Sequence, residues 1–262
     1  MREGRGCAIG VMAKAPRAGH SKTRLCPPLL ATQAAALSAA FLRDVTENIA
    51  AAARGTPIAG LIAYAPAGSE VLFADHVAHG MGFVLADGVP DHQDAMPPDV
   101  RGFGRCLLHA VQAMLGRGFG AACVLNSDSP TLPAALLTHA ARVLLADGDR
   151  VVLGPAEDGG YYLLGMKAPH ARLFADIAWS TDGVADATRA RARELGLDLV
   201  ELPAWYDVDD GMSLARLIRD LSDGEAAGGN SGGSPRPGPA PATREALRRI
   251  GLLVPDHSKA AE

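Results

Sequence analysis

The sequence is poor in aromatic residues, which make up 5% of its 262 positions, and it has no surplus of positive charge, with 25 Lys and Arg against 29 Asp and Glu. A net charge of −4 gives no global attraction for a polyanion, and no basic stretch is interleaved with rings on which bases could stack. Nucleic acid is therefore not an expected partner. Long apolar runs are also missing. The first run, "CAIGVMA", is short and ends at Lys14, which speaks against a signal peptide, and none approaches the ~20 residues of a membrane span. The cysteines Cys7, Cys26, Cys106 and Cys123 form no C-x-x-C pair, so the spacing of zinc and redox sites is absent. Cys7 and Cys123 fall in apolar runs, where free cysteine acts as a small buried hydrophobe. These absences lead us to expect reduced thiols, a cytoplasmic location and no membrane partner.

What is present suffices for a folded core, since 48% of residues are hydrophobic and 21% charged. Short β-branched and apolar runs predict strands at 7–13, 58–65, 83–86, 121–126, 151–154, 161–165 and 197–202. Helical periodicity predicts helices at 30–54, 104–117, 134–146, 184–195 and 212–221. This alternation implies crossover connections and a mostly parallel sheet covered on both faces, hence an α/β fold. "YYLLG" follows "VVLGPAEDGG" so closely that this pair suits an antiparallel excursion. We expect one domain over residues 1–221. Residues 222–242, "SDGEAAGGNSGGSPRPGPAPA", have the composition of a disordered linker. A tail over 243–262 contains the amphipathic "TREALRRIGLL", suited to docking back on the domain or to reaching a partner.

Open α/β sheets bind ligands beyond the carboxyl ends of their strands. After the first predicted strand comes "KAPRAGHSKTR", with Lys14, Arg17, Lys22 and Arg24 around Pro16 and Gly19. After the fourth comes "NSDSPTLP" with Asp128, after the fifth "AEDGG" with Glu157 and Asp158, and after the last "WYDVDD" with Asp207, Asp209 and Asp210. Cations and carboxylates thus collect on one edge. The chemistry that needs both signs is the handling of a nucleoside phosphate with a divalent metal. Magnesium takes one or two carboxylates and completes its shell with phosphate oxygens and water, while Lys and Arg neutralise the remaining phosphate charge. The opening loop is not a P-loop, because Arg17 and Ser21 stand where G-x-x-x-x-G-K-[ST] has its glycines. Each residue also has a plainer role: Asp128 suits a turn or helix N-cap, Asp158 a turn, Asp210 the cap of the next helix, and Arg17 a solvated surface.

Taken together, "AKAPRAGHSKTRL", "NSDSPTLP", "GPAEDGGYYLLG", "WST" and "WYDVDD" resemble bacterial GT-A-fold glycosyltransferase-type proteins of unknown function (the domain of unknown function 2064 type). These are relatives of the nucleotidyltransferases that include phospholactate guanylyltransferase and the molybdenum-cofactor guanylyltransferase. The resemblance runs from about residue 7 to residue 221. It implies a GT-A three-layer sandwich, with a Rossmann-like sheet binding a nucleotide over the first strand and loop. Ala13, Lys14, Gly19, Lys22, Thr23, Arg24 and Arg105 would serve the nucleotide. Asp128 and Asp209, with Asp207 beside them, would hold Mg2+ or Mn2+. Lys22, Asp128, Asp158 and Asp209 would carry catalysis. Asp158, Gly159, Gly160, Tyr161, Trp179, Ser180 and Thr181 would form the acceptor side, although Tyr161 stands where the guanylyltransferases have threonine. Trp179 equally suits a core position followed by a helix cap. Three functions stay open: nucleotidyl transfer from a nucleoside triphosphate to a small phosphorylated acceptor, glycosyl transfer from a nucleotide-diphospho-sugar, and a non-catalytic nucleotide-binding module. The single carboxylate in Ser127-Asp128-Ser129, where sugar transferases commonly have D-x-D, favours the first.

Overall fold

A computed structural model describes residues 6–87, 96–223 and 235–253. Among them the strands are β1 (Cys7–Ala13), β2 (Ile58–Tyr64), β3 (Gly82–Leu85), β4 (Ala121–Leu125), β5 (Arg150–Pro155), β6 (Tyr161–Met166) and β7 (Asp198–Glu201). The helices are α1 (Ala31–Ala53), α2 (Phe103–Gly116), α3 (Ala134–Leu145), α4 (Val184–Glu194), α5 (Gly211–Asp223) and α6 (Pro241–Arg249). The strands form one sheet in the order β3-β2-β1-β4-β6-β5-β7. β6 alone runs against its neighbours β4 and β5, and every other pairing is parallel. The fold is α/β, a sheet between two helical layers. None of the helices is long and apolar enough to cross a membrane, among the described residues.

Alternation along β1 explains the two layers. Successive side chains of a strand point to opposite faces. Cys7, Ile9, Val11 and Ala13 join the core made with α1, α3, α5 and α6, whereas Ala8 joins the core made with α2 and α4. Gly10 also faces α2, where a Cβ would lie 2.9 Å from the Met114 sulfur, so its missing side chain lets that helix approach. All residues of β4 are buried, as expected of a strand covered on both sides. Alanine-rich α1 combines high helix propensity with a buried stripe through Leu37, Phe41, Val45 and Ile49.

The expected linker of 222–242 begins and ends inside helices. α5 continues to Asp223 and α6 starts at Pro241, while residues 224–234 lie outside the described ones. α6 packs on α1, and the buried carboxylate of Asp44 accepts hydrogen bonds from Ala242 N (3.0 Å) and Thr243 N (2.7 Å) at the start of α6. The remainder of the tail, 254–262, is also outside the described residues.

The strand directions put four connections on one edge of the sheet. β1, β4, β5 and β7 are parallel, so the segments that follow them emerge together. β6 reverses direction, so the turn at 156–160 opens on the same edge. The strand order also switches between β1 and β4, the place where open α/β sheets form a crevice.

Candidate active site

Lys22 is the centre of this edge. Its Nζ donates to Asp209 Oδ1 at 2.6 Å and lies 2.7 Å from Asp128 Oδ1. The Lys22 side chain is 7% exposed, whereas Asp128 and Asp209 are 32% and 44% exposed, so the cation is enclosed and its partners face the solvent. The ring of Phe41, from α1, lies 5.7 Å from Nζ. Burial alone would lower the lysine pKa. The attraction of Asp128 and Asp209 outweighs it and holds Lys22 above its ordinary value, so the ammonium stays charged. Lys22 adopts a left-handed backbone conformation (φ 50°, ψ 40°) just before a short 3-10 turn, Thr23–Leu25, whose Leu25 is anchored in the core. Such a conformation is uncommon for a residue other than glycine and costs on the order of 1 kcal/mol. No long helix follows Lys22-Thr23 directly, as a P-loop would require, since α1 begins only at Ala31.

The Asp128 loop is pinned from several sides. Val208 N donates to the Asp128 carbonyl at 2.9 Å, and Ser129 Oγ donates to the Tyr206 carbonyl, also at 2.9 Å. Asn48 of α1 donates to the carbonyls of Pro130 and Leu132, and Gly238 N donates to that of Thr131. The loops that bear Asp128 and Asp209 are therefore one hydrogen-bonded unit. Asp210 caps α5: Ser213 N donates to its Oδ1 at 2.8 Å, which lowers its pKa and fixes the chain just after Asp209.

Asp207 and Asp158 complete an acidic face. Burial pushes the Asp207 carboxyl up to about 6, and the like charges of Asp158, Asp209 and Asp128 add to that shift. Asp158 closes its own turn, accepting from Gly160 N at 2.8 Å. Neighbouring Glu157 is taken up by an ion pair with Arg216 of α5. Gly159 (φ 89°) touches the 179–185 segment: a Cβ there would lie 2.0 Å from the Asp182 carbonyl oxygen, and Ala185 N donates to the Gly159 carbonyl. The turn at 158–160 and the start of α4 thus share one surface.

The remaining residues of interest are spread around this centre. Ala13 ends β1 and is buried, while Lys14, Gly19, Thr23 and Arg24 are exposed on the loop. Arg24 acts electrostatically on Asp210, and Lys14 and Arg105 both act on the Cys106 thiol near the start of α2. Trp179 is half-buried, and its ring meets Phe103 edge-on at 5.8 Å while covering Gly104. The Thr181 hydroxyl is occupied by the Ala178 carbonyl, and exposed Ser180 has a positive φ of 65°. Tyr161 differs from expectation. Its hydroxyl is buried with no hydrogen-bond partner among the described residues, and its ring packs against the α2-side core. Phe103, 50% exposed beside Trp179, belongs to this surface too. The sequence signal for it was "GFGRCL", in which a ring lies between two glycines.

A metal would depend on few protein ligands. No group of three or more His, Cys, Asp or Glu side chains is arranged to hold an ion, among the described residues. Asp128 Oδ1 and Asp209 Oδ1 nevertheless converge on a single cation, the Lys22 ammonium. Two such oxygens fit magnesium that completes its shell with phosphate and water. Asp207, expected beside them, is near enough to feel both carboxylate charges.

The model of a family described as "Uncharacterized protein conserved in bacteria (DUF2064)" matches residues 48–181. No curated protein sequence matches the chain. Among solved structures, a protein provisionally named a nucleotide-diphospho-sugar transferase, from Desulfovibrio desulfuricans G20, is 25% identical, with a TM-score of 0.72 over 95% of this chain and 99% of its own. CMP:2-keto-3-deoxy-manno-octonic acid synthetase, solved with CTP, is 13% identical, with a TM-score of 0.50 over 84% of this chain and 99% of its own; it shares the fold. The architecture is thus that of nucleotide-diphospho-sugar transferase-like proteins.

Proposed function

Because this chain belongs to the DUF2064 family of bacterial proteins, whose description names no activity, we propose its function from the site: a nucleotide-using transferase. The reaction we favour moves a nucleotidyl group from a nucleoside triphosphate to a small phosphorylated acceptor. An acceptor phosphate oxygen attacks the α-phosphorus, the bond to the β-phosphate breaks, and pyrophosphate leaves. The observation behind this reading is the enclosed Lys22 ammonium between Asp128 and Asp209, at the mouth of a loop that also carries Lys14 and Arg24.

Lys14, Lys22, Arg24 and Arg105 would bind the phosphate chain and stabilise charge as it shifts to the leaving pyrophosphate. Ala13, Gly19 and Thr23 would contribute the loop backbone, whose N–H groups suit an anion. Asp128 and Asp209 would hold a magnesium or manganese ion, with Asp207 close behind. When bound, that ion would neutralise phosphate charge. Asp158, Gly159 and Gly160 would border the acceptor, with Trp179, Ser180 and Thr181 on its other side. Tyr161 would act only through its backbone and ring.

Glycosyl transfer is the second reading, motivated by the name of the 25% identical Desulfovibrio protein. One experiment separates the two. Radiolabelled nucleoside triphosphates offered with magnesium and small phosphorylated acceptors should release pyrophosphate. Turnover should disappear in Asp128→Ala with the fold intact. If no triphosphate binds while a nucleotide sugar does, the glycosyl reading replaces ours.

A further inference from the structure

The Lys22 ammonium sits between the two carboxylates to which a divalent ion is assigned above. Its Nζ lies 2.6 Å and 2.7 Å from the Asp209 and Asp128 oxygens, an ordinary ammonium–carboxylate separation. Magnesium draws its oxygens in to about 2.0–2.1 Å. A magnesium ion on these same two oxygens would compete with the ammonium for them, and the two adjacent positive charges would repel each other. We propose that Lys22 is an exchangeable internal counter-ion: it neutralises Asp128 and Asp209 while no nucleotide is bound, and it gives them up to the divalent cation as its ammonium moves to the incoming phosphate. This rests on the reading of the pocket as a phosphate site.

The surroundings suit an exchange. Asp128, Asp158, Asp207 and Asp209 gather within electrostatic reach of one another, so without an internal cation their charges would be poorly balanced. Lysine carries its charge on a flexible four-carbon stem, so Nζ can swing while the backbone stays anchored at Leu25. Lys14 and Arg24 are exposed on the same loop and can meet the phosphate first. The Asp128 loop, held by Val208, Asn48 and Gly238, does not have to move. In consequence, metal alone binds weakly, and metal together with nucleotide binds well.

The test is Mn2+ binding without nucleotide, followed by the electron paramagnetic resonance signal of the free ion. Lys22→Met should bind Mn2+ about tenfold or more tightly than the unaltered chain, the scale expected when an adjacent unit charge is removed. Lys22→Arg, which keeps the charge, should bind like the unaltered chain. The gain should vanish in Lys22→Met/Asp128→Asn. Equal behaviour of Lys22→Met and the unaltered chain, including no binding by either, overturns the proposal. A second measurement needs no variant. The sequence has four lysines, Lys14, Lys22, Lys167 and Lys259, and millimolar Mn2+ should raise acetic anhydride labelling of Lys22 relative to Lys167. Unchanged labelling in a chain that takes up Mn2+ at Asp128 refutes the exchange. Binding of a nucleoside triphosphate to the unaltered chain tests the transferase reading separately, so either idea can fail while the other stands.

Discussion

Replacing Asp207 by Asn should stabilise this protein at neutral pH. The half-buried Asp207 carboxyl is shifted from an ordinary 3.8 to about 6, by loss of water and then by the charges of Asp158, Asp209 and Asp128. The folded state therefore holds its proton more tightly than the unfolded chain does. Stability associated with that proton is fully present below about pH 4 and is lost as pH rises towards 6. At about 1.4 kcal/mol for each tenfold difference in proton affinity, the ionised carboxylate weakens the fold by about 3 kcal/mol at pH 8, an upper value because the side chain keeps some water. Asp207→Asn has nearly the same shape and no charge to desolvate. Urea denaturation at pH 8 should place its midpoint above that of the unaltered chain, with an unchanged slope. The advantage should shrink at pH 5 and disappear below pH 4. In a thermal scan it corresponds to roughly 2–4 °C for each kcal/mol. A variant less stable at pH 8, or a difference that ignores pH, would refute the reasoning about the acidic face.

Three further outcomes follow from single contacts. Gly159→Ala combines a φ of 89° with a Cβ 2.0 Å from the Asp182 carbonyl oxygen, so it should cost at least about 2 kcal/mol in chemical denaturation. Asp44→Ala removes the acceptor for two N–H groups of α6, and should cost about 1–3 kcal/mol while hydrogen exchange of residues 241–249 accelerates sharply. Phe103→Ala should shift Trp179 fluorescence to the red and cost no more than about 1.5 kcal/mol, because the ring pair is partly exposed.

The local elements were legible because each carries its own signal. The apolar run at 7–13 is β1 as expected, and the alanine-rich stretch expected at 30–54 is α1 over 31–53. "YYLLG" does run antiparallel, since five residues between β5 and β6 leave no room for a crossover helix. The common edge of Lys22, Asp128 and Asp209 follows from strand ends alone. Their direct bonding does not, because Lys22 and Asp209 are 187 residues apart and only the fold sets their distance. Tyr161 shows a different limit. A tyrosine at the start of a strand gives no indication of which way its hydroxyl turns, and here packing against the α2-side core encloses it. The α6 segment was recognisable as amphipathic, but its berth depends on Asp44, 198 residues earlier than Ala242. The stretch expected as a linker, 222–242, overlaps the ends of α5 and α6, whose extents no composition signal could fix.

The most direct measurement of the account is calorimetric titration of nucleoside triphosphates, in magnesium, into the unaltered chain and into Asp128→Asn. At least one triphosphate should bind the former, and bind the variant tenfold or more weakly. Equal affinity in both, or no heat from any triphosphate, would contradict the claim that Asp128 and Lys22 form a phosphate-gripping centre.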